Sequence, residues 1–133
     1  MGYMRNRILL ALAFTGLAAA PALAQDDLAA EGEQVFKRCA ACHQVGPEAK
    51  NRVGPELNGI IGRTAGTLEG FSYSKAMVEA GAGGLVWDEE TLDAYLANPK
   101  GMVKGTKMAF AGLKSEEDRQ AVIAYLAAQG GAS

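Results

Sequence analysis

The chain has 133 residues with 13 basic and 15 acidic side chains, a formal charge of −2. An acidic balance argues against nucleic acid as the main partner, which calls for a basic footprint. Nor does the chain carry a tail of like charges or a low-complexity segment, and its length suits one domain rather than two.

In chain order, the first segment reads as an address. Arg5 and Arg7 give a positive start, Ile8 to Leu17 form a short apolar run, and Pro21-Ala22-Leu23-Ala24 offers small residues at a cleavage site. About 10 apolar residues are too few to span a bilayer, which needs about 20. Residues 1–24 are therefore expected to be a cleaved signal peptide, leaving a domain over 25–133, and the protein is expected in the periplasm. Losing Arg5 and Arg7 with the leader takes the formal charge to −4.

A first helix is expected from about Leu28 to Arg38, with Leu28, Gly32, Val35, Phe36 and Cys39 on one face. Acids at its start and Lys37 and Arg38 at its end suit the helix dipole. Gly32 costs helix propensity, so another helix should cross close to its backbone. A short helix from Ser74 to Ala80 is closed by Gly81. Asp88 should cap a helix that buries Leu92, Tyr95 and Leu96, with Trp87 stapled onto Leu92, and Asn98-Pro99 should stop it. Ser115 and Asp118 have capping-box spacing ahead of Val122, Ile123, Tyr125 and Leu126, and Gly130-Gly131 ends that helix. No useful alternation suggests a strand. The fold class is thus all-α, with long glycine-rich loops at Gln44 to Gly70 and Pro99 to Leu113. Such loops are usually functional or wrapped around something. The aromatic inventory is thin for a domain of this size, so a planar apolar group should complete the core.

Cys39-Ala40-Ala41-Cys42-His43 supplies that group. Cysteines three apart on a helix end can each form a thioether to one vinyl group of haem, and the next residue presents an imidazole to the iron. A redox dithiol would need a βαβ context, which is absent. A zinc site needs four ligands, and His43 is the sole histidine, Cys39 and Cys42 the sole cysteines. His43 is therefore one axial ligand of a single haem c. The absence of a second histidine leaves methionine for the other side. Met77, Met102 and Met108 remain once the leader is gone; Met108 follows Gly105 in a loop, and Met102 shares that loop.

The chain from Gly32 to Leu126 resembles the class I cytochromes c, the soluble type of mitochondria and purple bacteria. The resemblance rests on Gly32 and Phe36, the Cys39–His43 motif, Gly54-Pro55-Glu56-Leu57, Gly62-Arg63 and Gly70-Phe71-Ser72-Tyr73-Ser74. Trp87, Tyr95-Leu96-Ala97-Asn98-Pro99-Lys100, Gly105-Thr106-Lys107-Met108-Ala109-Phe110 and Ile123-Ala124-Tyr125-Leu126 follow in the family's order. It implies a class I cytochrome c fold, short helices and long loops wrapped around one covalently bound haem. It implies Met108 as the second metal ligand and the Pro55 carbonyl as acceptor for the His43 ring N–H. It further implies Arg63, Tyr73, Ser74 and Trp87 around a haem propionate, and Tyr95 and Thr106 beside the methionine sulfur. Met77, Lys104 and the Gly81 to Leu85 loop depart from the family pattern.

A histidine and a methionine on iron leave no open position for a substrate, which favours a one-electron carrier over an enzyme. The expected role is to shuttle electrons between membrane redox complexes, from a cytochrome reductase to an oxidase or photosynthetic reaction centre. The contrasting reading is a peroxidase-like haem enzyme or sensor with a labile sixth ligand. Lys37, Arg38, Lys100, Lys104 and Lys107 bracket the haem-binding segments in sequence. They are expected to form a positive rim that steers a monomer to the acidic faces of its partners for transient contact.

Overall fold

The computed structural model describes residues 21–130 together with Ala13, Thr15 and Gly16. Most of the expected leader, and Gly131 beyond the last helix, lie outside the described residues. Five helices follow one another: α1 (Pro21–Phe36), α2 (Lys75–Ala82), α3 (Glu89–Ala97), α4 (Pro99–Met102) and α5 (Glu116–Ala127). Among the described residues β structure is limited to one antiparallel bridge, Thr64 with Val86. The all-α expectation therefore holds.

α1 starts earlier than its apolar stripe suggested, at Pro21, whose fixed φ and missing N–H suit a first helical position. It also stops earlier. Beyond Phe36 the amides of Lys37, Arg38 and Cys39 bond three residues back, to Gln34, Val35 and Phe36, so the chain tightens into turns. α1 crosses α5 where Gly32 lies: a Cβ there would collide with the Ala121 carbonyl oxygen and come within 2.7 Å of Tyr125 Cβ. Beside the crossing the Phe36 and Tyr125 rings pack 5.4 Å apart. Val35, Phe36, Val122, Ile123 and Leu126 form the buried seam.

Gly81 does not close α2. It is buried inside the helix, against the Ala65 carbonyl, and Gly83 is the C-cap. Nor does Asn98-Pro99 simply stop the chain. Pro99 occupies the first position of α4, with the Asn98 side chain accepting from the Gly101 N–H. The residue that ends one helix starts the next, turning part of the expected loop into a helical turn.

α3 carries the cap expected of it. Asp88 Oδ1 accepts from the Thr91 N–H at 2.8 Å, and Thr91 Oγ1 accepts from the Asp88 N–H at 2.8 Å. Trp87 and Leu92 are both buried, as a staple requires. Bonds from the Thr91 backbone, then from its side chain, hold the Asp88 carboxyl below its ordinary pKa. A depressed carboxylate stabilises the fold above its unfolded pKa and loses that contribution as pH falls through the folded one. The melting-temperature gap between the native chain and Asp88→Ala should thus be full at neutral pH and close below about pH 4. A gap that widened in acid would contradict this.

Candidate functional site

The motif occupies the turns that continue α1. The Cys42 and His43 amides both donate to the Cys39 carbonyl, at 3.0 and 2.9 Å, so the three side chains are presented from one helical turn. Both thiols are half-buried and unpaired despite their proximity. Burial pushes the Cys39 thiol pKa up, and the neighbouring Arg38 charge opposes the rise.

His43 is fixed from two sides. Its Nδ1–H donates to the Pro55 carbonyl at 2.7 Å. Gly54 lies flat against the ring: a Cβ at this position would sit 2.7 Å from Nδ1, so no larger residue fits there. The strip that carries Gly54 and Pro55 is stitched back to the motif by Gly54 N–H to Cys42 O and Leu57 N–H to Gln44 O. Burial lowers the His43 pKa, with the Pro55 bond opposing it, so the ring favours its neutral form. With Nδ1 carrying the proton, Nε2 keeps its lone pair for a metal.

The three methionines separate by environment. Met77 is buried in the core on α2. Met102, at the end of α4, is an exposed large hydrophobic residue. Met108 is half-buried and packs against the core. Its N–H approaches Thr106 Oγ1 at 3.4 Å, and that hydroxyl is 2.7 Å from the Tyr95 hydroxyl. Tyr95 and Thr106 are therefore joined to each other next to the Met108 backbone. Tyr95 also packs on Trp87, ring centroids 5.0 Å apart.

Arg63 is joined to Trp87 through the backbone: Trp87 N–H donates to Arg63 O, and Gly62 N–H to Trp87 O. Its guanidinium is committed in part, donating to Glu56 O at 3.0 Å and Asn58 O at 2.6 Å and pairing with Glu56 Oε1 at 3.4 Å. Nε–H and one Nη1–H are left over. The buried Ser74 Oγ accepts from the Met77 N–H as the cap of α2, so its own proton is available to a further acceptor. Tyr73 packs edge-on to Phe71. Lys107 Nζ reaches from the methionine loop to the Ser72 carbonyl at 3.1 Å. Arg38 pairs with Asp118 at 3.3 Å, and the groove it lines between α1 and α5 also holds Glu31 and Glu117. It thus sits in acidic surroundings.

These residues fit a covalently held haem. Two unpaired thiols lie one turn apart, the adjoining imidazole has a free Nε2, and spare donors remain on Arg63 and Ser74. Sequence reasoning had not given Gly54 its steric role, nor Asn58, whose side chain exchanges two 2.8 Å bonds with the Gly46 backbone. A motif gives no signal for contacts of that kind.

Known proteins resemble this chain over most of its length. The cytochrome c family model matches residues 29–129. A cytochrome c2 of Afifella marina is 58% identical over 100 residues, covering 75% of this chain and 81% of the relative. A cytochrome c-550 of Ancylobacter novellus is 57% identical over 97 residues, covering 73% and 91%. The solved structure of cytochrome c2 from Rhodospirillum centenum superposes with a TM-score of 0.74 at 44% identity, covering 77% of this chain and 98% of that one. The chain belongs to the cytochrome c family, and its haem c is covalently attached through Cys39 and Cys42.

Proposed function

We propose that the protein is a periplasmic one-electron carrier whose haem iron is held by His43 and Met108. The observation that carries this reading is the fixed His43 ring, with Nδ1 on Pro55 and Gly54 against its face. The haem c supplies one-electron exchange at its iron. Every other part of the function belongs to the chain's own groups. Pro55 holds the imidazole in one tautomer, and Thr106 and Tyr95 hold the backbone and surroundings of Met108. Arg63, Tyr73, Ser74 and Trp87 receive a propionate that would otherwise be buried without donors. Together His43 and Met108 leave no position for a substrate, which fits a carrier rather than an enzyme.

Export follows from the leader, cleaved after Ala24, and among the described residues no helix is long and apolar enough to cross a membrane. The partner surface, met transiently by a monomer, is formed by Arg38, Lys100, Lys104 and Lys107. All four are exposed, but Asp118 partly compensates Arg38, so the three lysines carry most of the steering.

Two measurements test the reading. Intact mass of the exported protein should equal the chain from Gln25 plus one haem. Its association rate with an acidic membrane redox partner, a reductase, oxidase or reaction centre, should fall steadily as salt rises, because screening shortens the reach of exposed charges. A retained leader would sink the export proposal, and a rate indifferent to salt would sink the steering.

A further inference from the structure

Met108 lies in a stretch of backbone with little holding it from within. Among the described residues, none of the amides from Lys107 to Gly112 donates to another backbone carbonyl. The position of the sulfur therefore depends on how the ends of the stretch are anchored. Thr106 and Val103 secure the upstream end, with Thr106 N–H on Val103 O and Val103 buried.

The downstream end is held at Leu113, which is 2% exposed. Its N–H donates to the Leu96 carbonyl of α3 at 2.8 Å. The approach requires Gly112, at φ +119°, where a Cβ would come within 2.5 Å of Ala97 O. The carbonyl of Leu113 is taken by Arg119 of α5. Its Nη1 donates to the Leu113 carbonyl at 2.9 Å and to the Lys114 carbonyl at 3.1 Å, while Nε donates to Asp93 Oδ1 of α3 at 2.8 Å. The Arg119 side chain is 14% exposed and Leu113 is buried, so the bond between them is sheltered from water, whereas Lys114 and Asp93 lie closer to solvent. One guanidinium thus ties α3, α5 and the loop end together, a geometry that a fixed fork of donors permits and a single ammonium does not.

We propose that Arg119 is a positioning residue for Met108, clasping the downstream end of the methionine loop so that the sulfur stays on the iron. The proposal rests on Met108 being the ligand. External imidazole competes with a methionine for haem iron, so its apparent affinity for the oxidised holoprotein reports how firmly the loop keeps Met108 in place.

The test compares four variants of the holoprotein by imidazole titration, with melting temperature and amide exchange at Leu113 measured alongside. Arg119→Met and Arg119→Lys both lose the fork to the carbonyls. Each should bind imidazole about tenfold more tightly, the equivalent of one charge-assisted hydrogen bond, and lose protection at Leu113. Asp93→Asn keeps an acceptor for Nε and both carbonyl bonds, and should stay within about twofold of the native protein. Leu126→Ala opens a cavity on α5 two turns, about 10 Å, beyond Arg119 and controls for general loss of stability. It should lower the melting temperature while leaving imidazole affinity within about twofold. Unchanged affinity in the Arg119 variants would overturn the proposal, as would a gain in Leu126→Ala matching theirs. If the native protein showed no sulfur-to-iron charge-transfer band, the assignment of Met108 itself would fail first.

Discussion

Replacing Met108 by alanine is expected to abolish the sulfur-to-iron charge-transfer band and lower the reduction potential, while the helices remain folded. A thioether is a soft ligand that favours the reduced iron, so its loss disfavours reduction. Axial ligation spans about 0.8 V across haem proteins, and a drop of a few hundred millivolts is the expected scale. The fold should survive because Met108 is only half-buried, and the core seam of Val35, Phe36, Val122, Ile123 and Leu126 lies between α1 and α5. Far-ultraviolet circular dichroism checks that point. Met102→Leu is the discriminating control: the same titration and spectrum should be unaffected, since Met102 sits exposed at the end of α4. A band that persisted in Met108→Ala and vanished in Met102→Leu would assign the other sulfur.

The chemistry of the site was legible wherever it is carried by neighbours in the sequence. Cys39 to His43 specify an attachment turn within five residues, and the absence of any other histidine or cysteine removes the competing readings. Met108 was different. Composition left it level with Met102, and the family pattern pointed to it. Its half-buried place against the core, beside the Tyr95–Thr106 hydroxyl pair, is a tertiary fact.

Local signals also marked helix starts better than helix ends. Asp88 and Ser115 cap as expected. The reciprocal partner of Asp88, however, is Thr91. At Ser115 the expected box is only half made: the hydroxyl accepts from the Asp118 N–H, while the Asp118 carboxylate pairs with Arg38, 80 residues away. The end of α2 went astray for a related reason. A glycine can mark a helix end or a close crossing, and only the approach of Ala65 shows that Gly81 is the second kind. Arg119 is the extreme case. In the sequence it is one more charge on an amphipathic helix, and its three acceptors come from α3 and from the loop before α5.

Gly32→Ala should destabilise the protein more than any other single methyl group added to α1. Alanine is the better helix former by about 1 kcal/mol, so in an isolated helix this substitution would help. Here the added Cβ meets the Ala121 carbonyl oxygen and lies 2.7 Å from Tyr125 Cβ. A backbone oxygen cannot rotate aside as a flexible side chain can, so the helices must separate. Overpacking of this kind costs about 1–3 kcal/mol or more, and with backbone on the far side the upper end outweighs the propensity gain. A net loss of about 2 kcal/mol corresponds to a melting temperature lower by roughly 10 °C in a domain of this size. Gly83→Ala gives the contrast. Its φ is −79°, and its added Cβ would make only ordinary contact with Glu79 O at 3.4 Å. That change should stay within about 0.5 kcal/mol. A Gly32→Ala protein as stable as the native one would show that the crossing can relax at no cost. The consequence should reach the haem site as well, because the Cys39 and Ala40 amides hang from the Phe36 carbonyl at the end of α1. Moving α1 off α5 moves the turn that presents both thiols and His43. Haem incorporation during maturation should therefore fall together with the melting temperature, whereas Gly83→Ala should leave both in place.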